Sequence, residues 1–485
     1  MLKIFKSRLF CAIFTGLVLF VVFSIARESL VPYNSDFNRS TWRLTGDEPA
    51  YLLTAQAIAN GDGENVSHVH AAGLYKNYSD KIIIGKKQWN YSDYVKRCKV
   101  NFLIDRSEFW GDAQIQHGSP LMPLFASSFA LSKERPRWKI LLLQGIVASV
   151  VATFFVLLAS SHNGNKWQTS WHSSFACIAF MGAAPIVWYT AQIYPEILIG
   201  LLLVLALLLA RKDNFVFRAI GYFCLFLSLF GSSRIFAGVA IAALIYLVYS
   251  IRQRRWFDIL VICLGFIAYF GYNLCLWGNF FPPNTDANSP ITLSLIPLGF
   301  LRYFYGNSVG LFFLAPVAWV GFICLILLLR HPLRDSAILP CSALVFGISL
   351  SVAAFPAFRA GTCPAGRYQV AVAFLLLASI LLYLGIEEKG TKWRQRVLCM
   401  LYGFGSFSVI MGVWLAANPS WWHRKYHPAF GNLRLQSYYD LLPDFSECWI
   451  WKLIAWVLVF VVLTFSWDFI NFAYKYVFSR KKKSN

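Results

Sequence analysis

Residues 139–160 read KILLLQGIVASVVATFFVLLAS, with a single charge, Lys139, at one end. A membrane-spanning helix needs about 20 consecutive, mostly apolar residues, and this stretch meets that length. Working outward, comparable runs occupy 9–26, 173–190, 196–210, 218–231, 236–251, 257–276, 310–329, 336–355, 368–386, 396–416 and 449–472. The pattern predicts an all-α polytopic membrane protein of about 12 transmembrane helices, with a long first external loop containing juxtamembrane helices. The runs between 196 and 231 are short, so the count carries a margin of about two.

Composition agrees. The 485 residues are 58% hydrophobic and 14% charged, whereas soluble domains carry roughly 25% charged residues. The formal net charge of +21 does not point to nucleic acid, because the basic residues lie between apolar runs and read as topology signals and lipid-headgroup contacts. The 11 cysteines form no CxxC pair. Cys11, Cys177, Cys224, Cys263, Cys275 and Cys324 sit within apolar runs, where a thiol acts as a small hydrophobe. Cys98 and Cys363 fall in expected external segments, and their pairing is left open. Gly265 and Gly271 are expected to ease helix packing.

Orientation follows from Lys and Arg in the short connections. Lys3, Lys6 and Arg8 precede the first run; later clusters are Arg211, Lys212 and Arg218; Arg252, Arg254 and Arg255; Arg330 and Arg334; Lys389, Lys392, Arg394 and Arg396; and Arg480–Lys483. With twelve helices all face the cytoplasm, and both termini lie there. Lys133, Arg135, Arg137 and Lys139 break the rule, but they close a long loop, which is largely exempt. The first run is read as an uncleaved helix, since its apolar core of about 18 residues exceeds that of a signal peptide. Ser119–Leu131 is too short to span and reads as an interfacial helix.

The chain therefore divides into 1–26, the cytoplasmic N-terminus and first helix, and 27–138, the first external loop. Next come 139–276, transmembrane helices, and 277–309, an external loop. The segment 310–474 holds the C-terminal helices with an external loop at 417–448, and 475–485 is a basic tail.

One motif stands out in the first loop: Thr45-Gly46-Asp47-Glu48-Pro49-Ala50-Tyr51, leading into a short amphipathic helix. Read locally, Asp47 is an N-cap and Glu48 a first-turn acid favoured by the helix dipole. The stretch GDEPAYLLTAQAIANGDG resembles the first-loop motif of the GT-C class of integral membrane glycosyltransferases, which includes protein O-mannosyltransferases and aminoarabinose transferases. His117-Gly118-Ser119-Pro120, Gln192-Ile193-Tyr194-Pro195-Glu196, Gly231-Ser232-Ser233-Arg234, Gly278–Asn284, Pro364–Tyr368 and Leu441–Phe445 resemble later loops of that class in the same order. Two departures are the lack of an oligosaccharyltransferase-like signature and His117 where some relatives carry an acid.

The resemblance implies a GT-C-like fold and transfer of a sugar from a polyprenyl-phosphate or polyprenyl-diphosphate donor to a glycan, lipid or protein acceptor on the external face. It implies Asp47 as catalytic base, with Glu48 as the alternative. Arg234, Arg359 and Arg367 are expected to hold the donor phosphate, because a guanidinium binds phosphate in a bidentate way. His117, Tyr194, Glu196, Arg302 and Tyr368 are expected to line the substrate site. Alternatives stay beside these roles: snorkelling for Arg234 and Arg302, helix capping for Glu196, and interface anchoring for Arg367 and for the aromatics, Trp421 and Trp422 included. No cofactor is required, and a divalent cation stays open. Compact loops and the lack of a transit-peptide pattern point to a bacterial inner membrane. The rival functions are a transporter or flippase of lipid-linked sugars, and a non-catalytic partner in envelope-polysaccharide assembly.

Overall fold

In the computed structural model, residues 8–30, 48–63, 66, 81–84, 87–90, 104–105, 114–115, 119–132, 136–159, 166–281, 292–306, 310–354, 367–387, 391–417 and 449–481 are described. The first elements are helices α1 (Arg8–Leu30) and α2 (Glu48–Asn60), then strands β1 (Lys81–Ile84), β2 (Lys87–Asn90), β3 (Ile104–Asp105) and β4 (Gln114–Ile115). Helices α3 (Leu121–Ala130), α4 (Pro136–Ala159), α5 (Lys166–Met181), α6 (Ile186–Tyr189), α7 (Glu196–Ala210), α8 (Phe215–Leu229), α9 (Phe236–Arg252) and α10 (Trp256–Trp277) follow. The remainder is α11 (Ile296–Tyr305), α12 (Leu311–Leu314), α13 (Val317–Leu329), α14 (Ile338–Ala353), α15 (Gln369–Ile386), α16 (Lys392–Ala417) and α17 (Trp449–Lys481).

Among the described residues, six helices are long and apolar enough to cross a membrane: 8–28, 137–159, 233–252, 256–277, 369–386 and 392–414. This is consistent with an all-α membrane protein. Each of the other expected spans also holds a helix, but two are broken. The run 173–190 divides into α5 and α6 around Gly182–Pro185, and 310–329 divides into α12 and α13 at Ala315-Pro316. Proline has no N–H to donate and pushes its predecessor out of the α region, so each break falls where the sequence forbids a continuous ladder. The first loop adds two short antiparallel ribbons that the all-helical expectation lacked, β1 on β2 and β3 on β4. The loop 277–309 contains a helix of its own, α11, and α17 runs on through Lys481 into the expected tail.

Helix α15 is the centre of the bundle. It is apolar all round and buried from Gln369 to Gly385, as a helix surrounded by other helices must be. Glycines set the closest approaches. A Cβ at Gly200 of α7 would fall 2.0 Å from the Phe374 ring of α15. One at Gly347 of α14 would fall 2.6 Å from Gly238 Cα of α9. Gly265 likewise receives Phe226, whereas a Cβ at Gly271 would meet no atom within 4 Å among the described residues, so no close packing of the expected kind is seen there. Cys11, Cys177, Cys224 and Cys324 are buried, while Cys263 and Cys275 are exposed apolar-run thiols. Cys98 and Cys363 lie outside the described residues, as do Trp421 and Trp422.

Side-chain contacts separate the two ends of the bundle. At one end Arg211 pairs with Asp335 at 2.6 Å, Arg218 with Asp258 at 2.7 Å, and Lys212 Nζ donates to the Leu158 carbonyl at 3.1 Å. Arg330, Arg334, Arg394 and Arg396 gather around the adjoining turns. The basic clusters around Arg211, Arg255, Arg330 and Arg394 thus meet at one end, while Lys3, Lys6, Lys389 and the side chains of Arg480–Lys483 lie outside the described residues. The opposite end collects Glu28, Glu48, Glu196 and Arg367.

Candidate functional site

Helix α2 opens this far end. Its first residue, Glu48, is completely buried, an expensive place for a carboxylate without partners. Arg137 Nη2 donates to both Glu48 oxygens at 3.1 Å, and the backbone N–H of Ile193 donates to Oε1 at 2.8 Å. Glu48 therefore latches α2 to the start of α4 and to the turn before α7. Gln144 braces the same turn by donating to the carbonyls of Tyr189 at 2.8 Å and Gln192 at 3.2 Å. A carboxylate so engaged is a holding group. Asp47, the residue just before it, lies outside the described residues, as do His117 and Arg359.

One helical turn after Glu48, Tyr51 shares its face of α2. Its ring meets Tyr194 edge-on at 6.0 Å, and its hydroxyl accepts from Arg367 Nη2 at 3.3 Å. Arg367 lies two residues before α15, next to its N-cap Tyr368, where the positive end of the helix dipole disfavours a cation. The neighbouring helix α7 answers with Glu196 in its own first turn: Arg367 Nε donates to Glu196 Oε1 at 2.6 Å. Glu196 is thus the counter-ion of Arg367, a role beyond the capping alternative. Its second oxygen, Oε2, is buried and has no hydrogen-bond partner among the described residues.

Aromatic faces complete the cluster. The Arg367 guanidinium lies 4.3 Å from the Tyr194 ring centroid and 5.5 Å from that of Tyr368. Arg234 approaches Tyr368 at 4.4 Å. Arg234 is half-buried, so it is the more exposed of the two cations, Arg367 being 8% exposed. Its position follows from the turn that carries it, where a Cβ at Gly231 would fall 2.5 Å from Ile199 of α7. Tyr303 of α11 donates its hydroxyl to the Tyr368 carbonyl at 2.8 Å. Arg302, the preceding residue on that helix, is half-buried.

Of the residues singled out in the sequence, the structure therefore joins Glu48, Tyr194, Glu196, Arg234, Arg367 and Tyr368. Arg137, Tyr51, Tyr303 and Gln144 were missed. A signal for Arg137 existed: it is one of the basic residues that broke the charge rule, and its misfit marks a cation held by a buried acid. Among the described residues no three His, Cys, Asp or Glu side chains gather as a metal site. No protein-family model matches the chain, and no curated protein matches it.

Proposed function

We propose that this protein is a membrane glycosyltransferase with GT-C-like architecture and about twelve spans, using a polyprenyl-phosphate or polyprenyl-diphosphate sugar and acting on the non-cytoplasmic face. The observation that carries this reading is the convergence of Glu48, Arg367, Glu196 and Arg234 at the end of the bundle opposite the basic clusters. Such convergent charge at helix ends suits a phosphate-bearing lipid substrate.

The chemistry is a single displacement. Asp47 takes the proton of the acceptor hydroxyl as its oxygen bonds to the anomeric carbon. The bond from that carbon to the phosphate oxygen breaks, and the lipid phosphate departs with its electron pair, leaving an inverted sugar linkage. Arg234, the more exposed cation, faces the departing phosphate, with Arg359 and Arg367 in support. Glu48 holds the helix that positions Asp47, rather than acting as base. Buried Glu196 Oε2 is an acceptor suited to a substrate hydroxyl, and Tyr194 and Tyr368 offer aromatic faces. Acceptors are a glycan, lipid or protein of the cell envelope, and a bacterial inner membrane is the setting.

Mass spectrometry of envelope glycans and polyprenyl-phosphate sugars in a deletion strain tests the reading. Accumulation of one lipid-linked sugar together with loss of one glycan residue supports it. Unchanged pools of both would overturn it. Accumulation on the cytoplasmic leaflet alone would favour a flippase instead.

A further inference from the structure

The basic end carries a groove of about 540 Å³ lined by Arg330, His331, Pro332, Leu333 and Arg334, which the proposed reaction does not use. Arg330, His331 and Arg334 are all exposed. The Arg330 guanidinium also lies 5.5 Å from the Trp393 ring, which Arg396 approaches at 4.6 Å. Among the described residues, the acids near Arg330 and Arg334 offer little compensation: Asp335 belongs to Arg211, and Glu387 reaches Arg334 only at 3.9 Å.

Apolar surface continues directly from this charge. Ile326, one turn back from Arg330 on α13, is 43% exposed, and Phe465 of α17, 6.1 Å from the Trp393 ring, is 45% exposed. Leu333 at the tip of the turn is 73% exposed. A free anion would gain nothing from these groups. A molecule with an anionic head and a long apolar tail would use both, and an indole between them suits the boundary of a bilayer.

We propose that this groove binds an anionic phospholipid of the adjoining leaflet. Its phosphate is held by Arg330 and Arg334, and an acyl chain lies along Ile326 and Phe465. The proposal rests on membrane residence alone, so it stands or falls separately from the transferase reading.

The test is native mass spectrometry of the full chain in detergent, titrated with phosphatidylglycerol or phosphatidylcholine. Phosphatidylglycerol should be retained selectively. The double variant Arg330→Gln, Arg334→Gln should weaken that retention by roughly tenfold or more, as expected for lost charge-assisted bonds. The control, Arg252→Gln with Arg254→Gln, removes equal charge from exposed positions at the same end and should leave retention unchanged. Equal retention of both lipids, or equal loss in the control, would overturn the proposal in favour of diffuse attraction. Thermal stabilisation by inorganic phosphate that disappears in the same double variant would overturn it in favour of a soluble anion. Should the variant fail to fold, a photoactivatable phosphatidylglycerol on the wild-type chain decides: labelling of 326–334 or of Trp393 supports the site, and labelling only elsewhere sinks it.

Discussion

Replacing Arg137 with Met removes the counter-ion of a carboxylate that has no exposure to solvent. Glu48 would keep the bond from the Ile193 N–H at 2.8 Å and lose both guanidinium bonds of 3.1 Å. Stranding one member of a buried pair costs about 3–5 kcal/mol. The Arg137 side chain is 18% exposed and the Ile193 N–H bond survives, so the low end, about 3 kcal/mol, applies. The loss falls on the docking of α2, because Glu48 is its first residue. An opening equilibrium that shifts by this amount raises the open population on the order of 100-fold. Ala57, fully buried on α2, supplies the probe: in an Ala57→Cys background, the maleimide labelling rate at that position, read by peptide mass spectrometry, reports opening. Adding Arg137→Met should accelerate labelling on the order of 100-fold. The pair Glu48→Gln, Arg137→Met should be less damaging than the sum of the single changes. Labelling within about twofold of the parent rate would refute the latch and return Glu48 to the list of candidate bases.

Three further outcomes follow from the same structure. Lys212, in the turn after α7, has its pKa pushed down from 10.5 to about 8, first by burial and then by Arg211 and Arg8. Its folded pKa lies below its unfolded one, so as pH rises between those values the unfolded chain holds more protons and stability increases; denaturant unfolding should show that rise in the wild type and a smaller one in Lys212→Met. Gly347→Ala, whose Cβ would meet Gly238 Cα at 2.6 Å, should destabilise by about 1–3 kcal/mol. Gly271→Ala, which meets nothing within 4 Å, should be neutral or stabilising, and equal effects in thermal unfolding would refute the packing account. Glu196→Gln removes the charge partner of Arg367 but leaves an isosteric carbonyl to accept from its Nε, so it should slow sugar transfer while thermal stability falls only modestly; an intact turnover rate would remove Glu196 from the site.

The positions of the helices were legible because each required a long apolar run, and the boundaries at Glu196–Ala210 and Phe236–Arg252 follow the runs almost residue by residue. Breaks were less legible, since a run such as 310–329 stays apolar through Pro316, and composition alone does not register a missing N–H. The ribbons of the first loop carry only two to four residues per strand, too few for period-two alternation to show. At the site, Glu48, Glu196, Arg234 and Arg367 could be found as charges at the ends of apolar runs. Their pairing could not. That Arg367 belongs to Glu196 depends on α7 and α15 starting side by side, which Gly200 and Phe374 arrange in space. Arg137 was visible only as an exception to a charge rule, Tyr51 only as the last residue of the first-loop motif with no role of its own, and Tyr303 only as one more membrane aromatic.

In the proposed reaction Asp47 is the base that drives sugar transfer from a lipid phosphate. Purified chain in lipid nanodiscs, supplied with polyprenyl-phosphate sugars and an envelope acceptor extract, can be followed by release of free polyprenyl phosphate in liquid chromatography–mass spectrometry. The wild type should release it with matching glycosylation of the acceptor, and Asp47→Asn, at unchanged folding, should slow release by about 100- to 10,000-fold. Equal release by the two proteins would contradict the account.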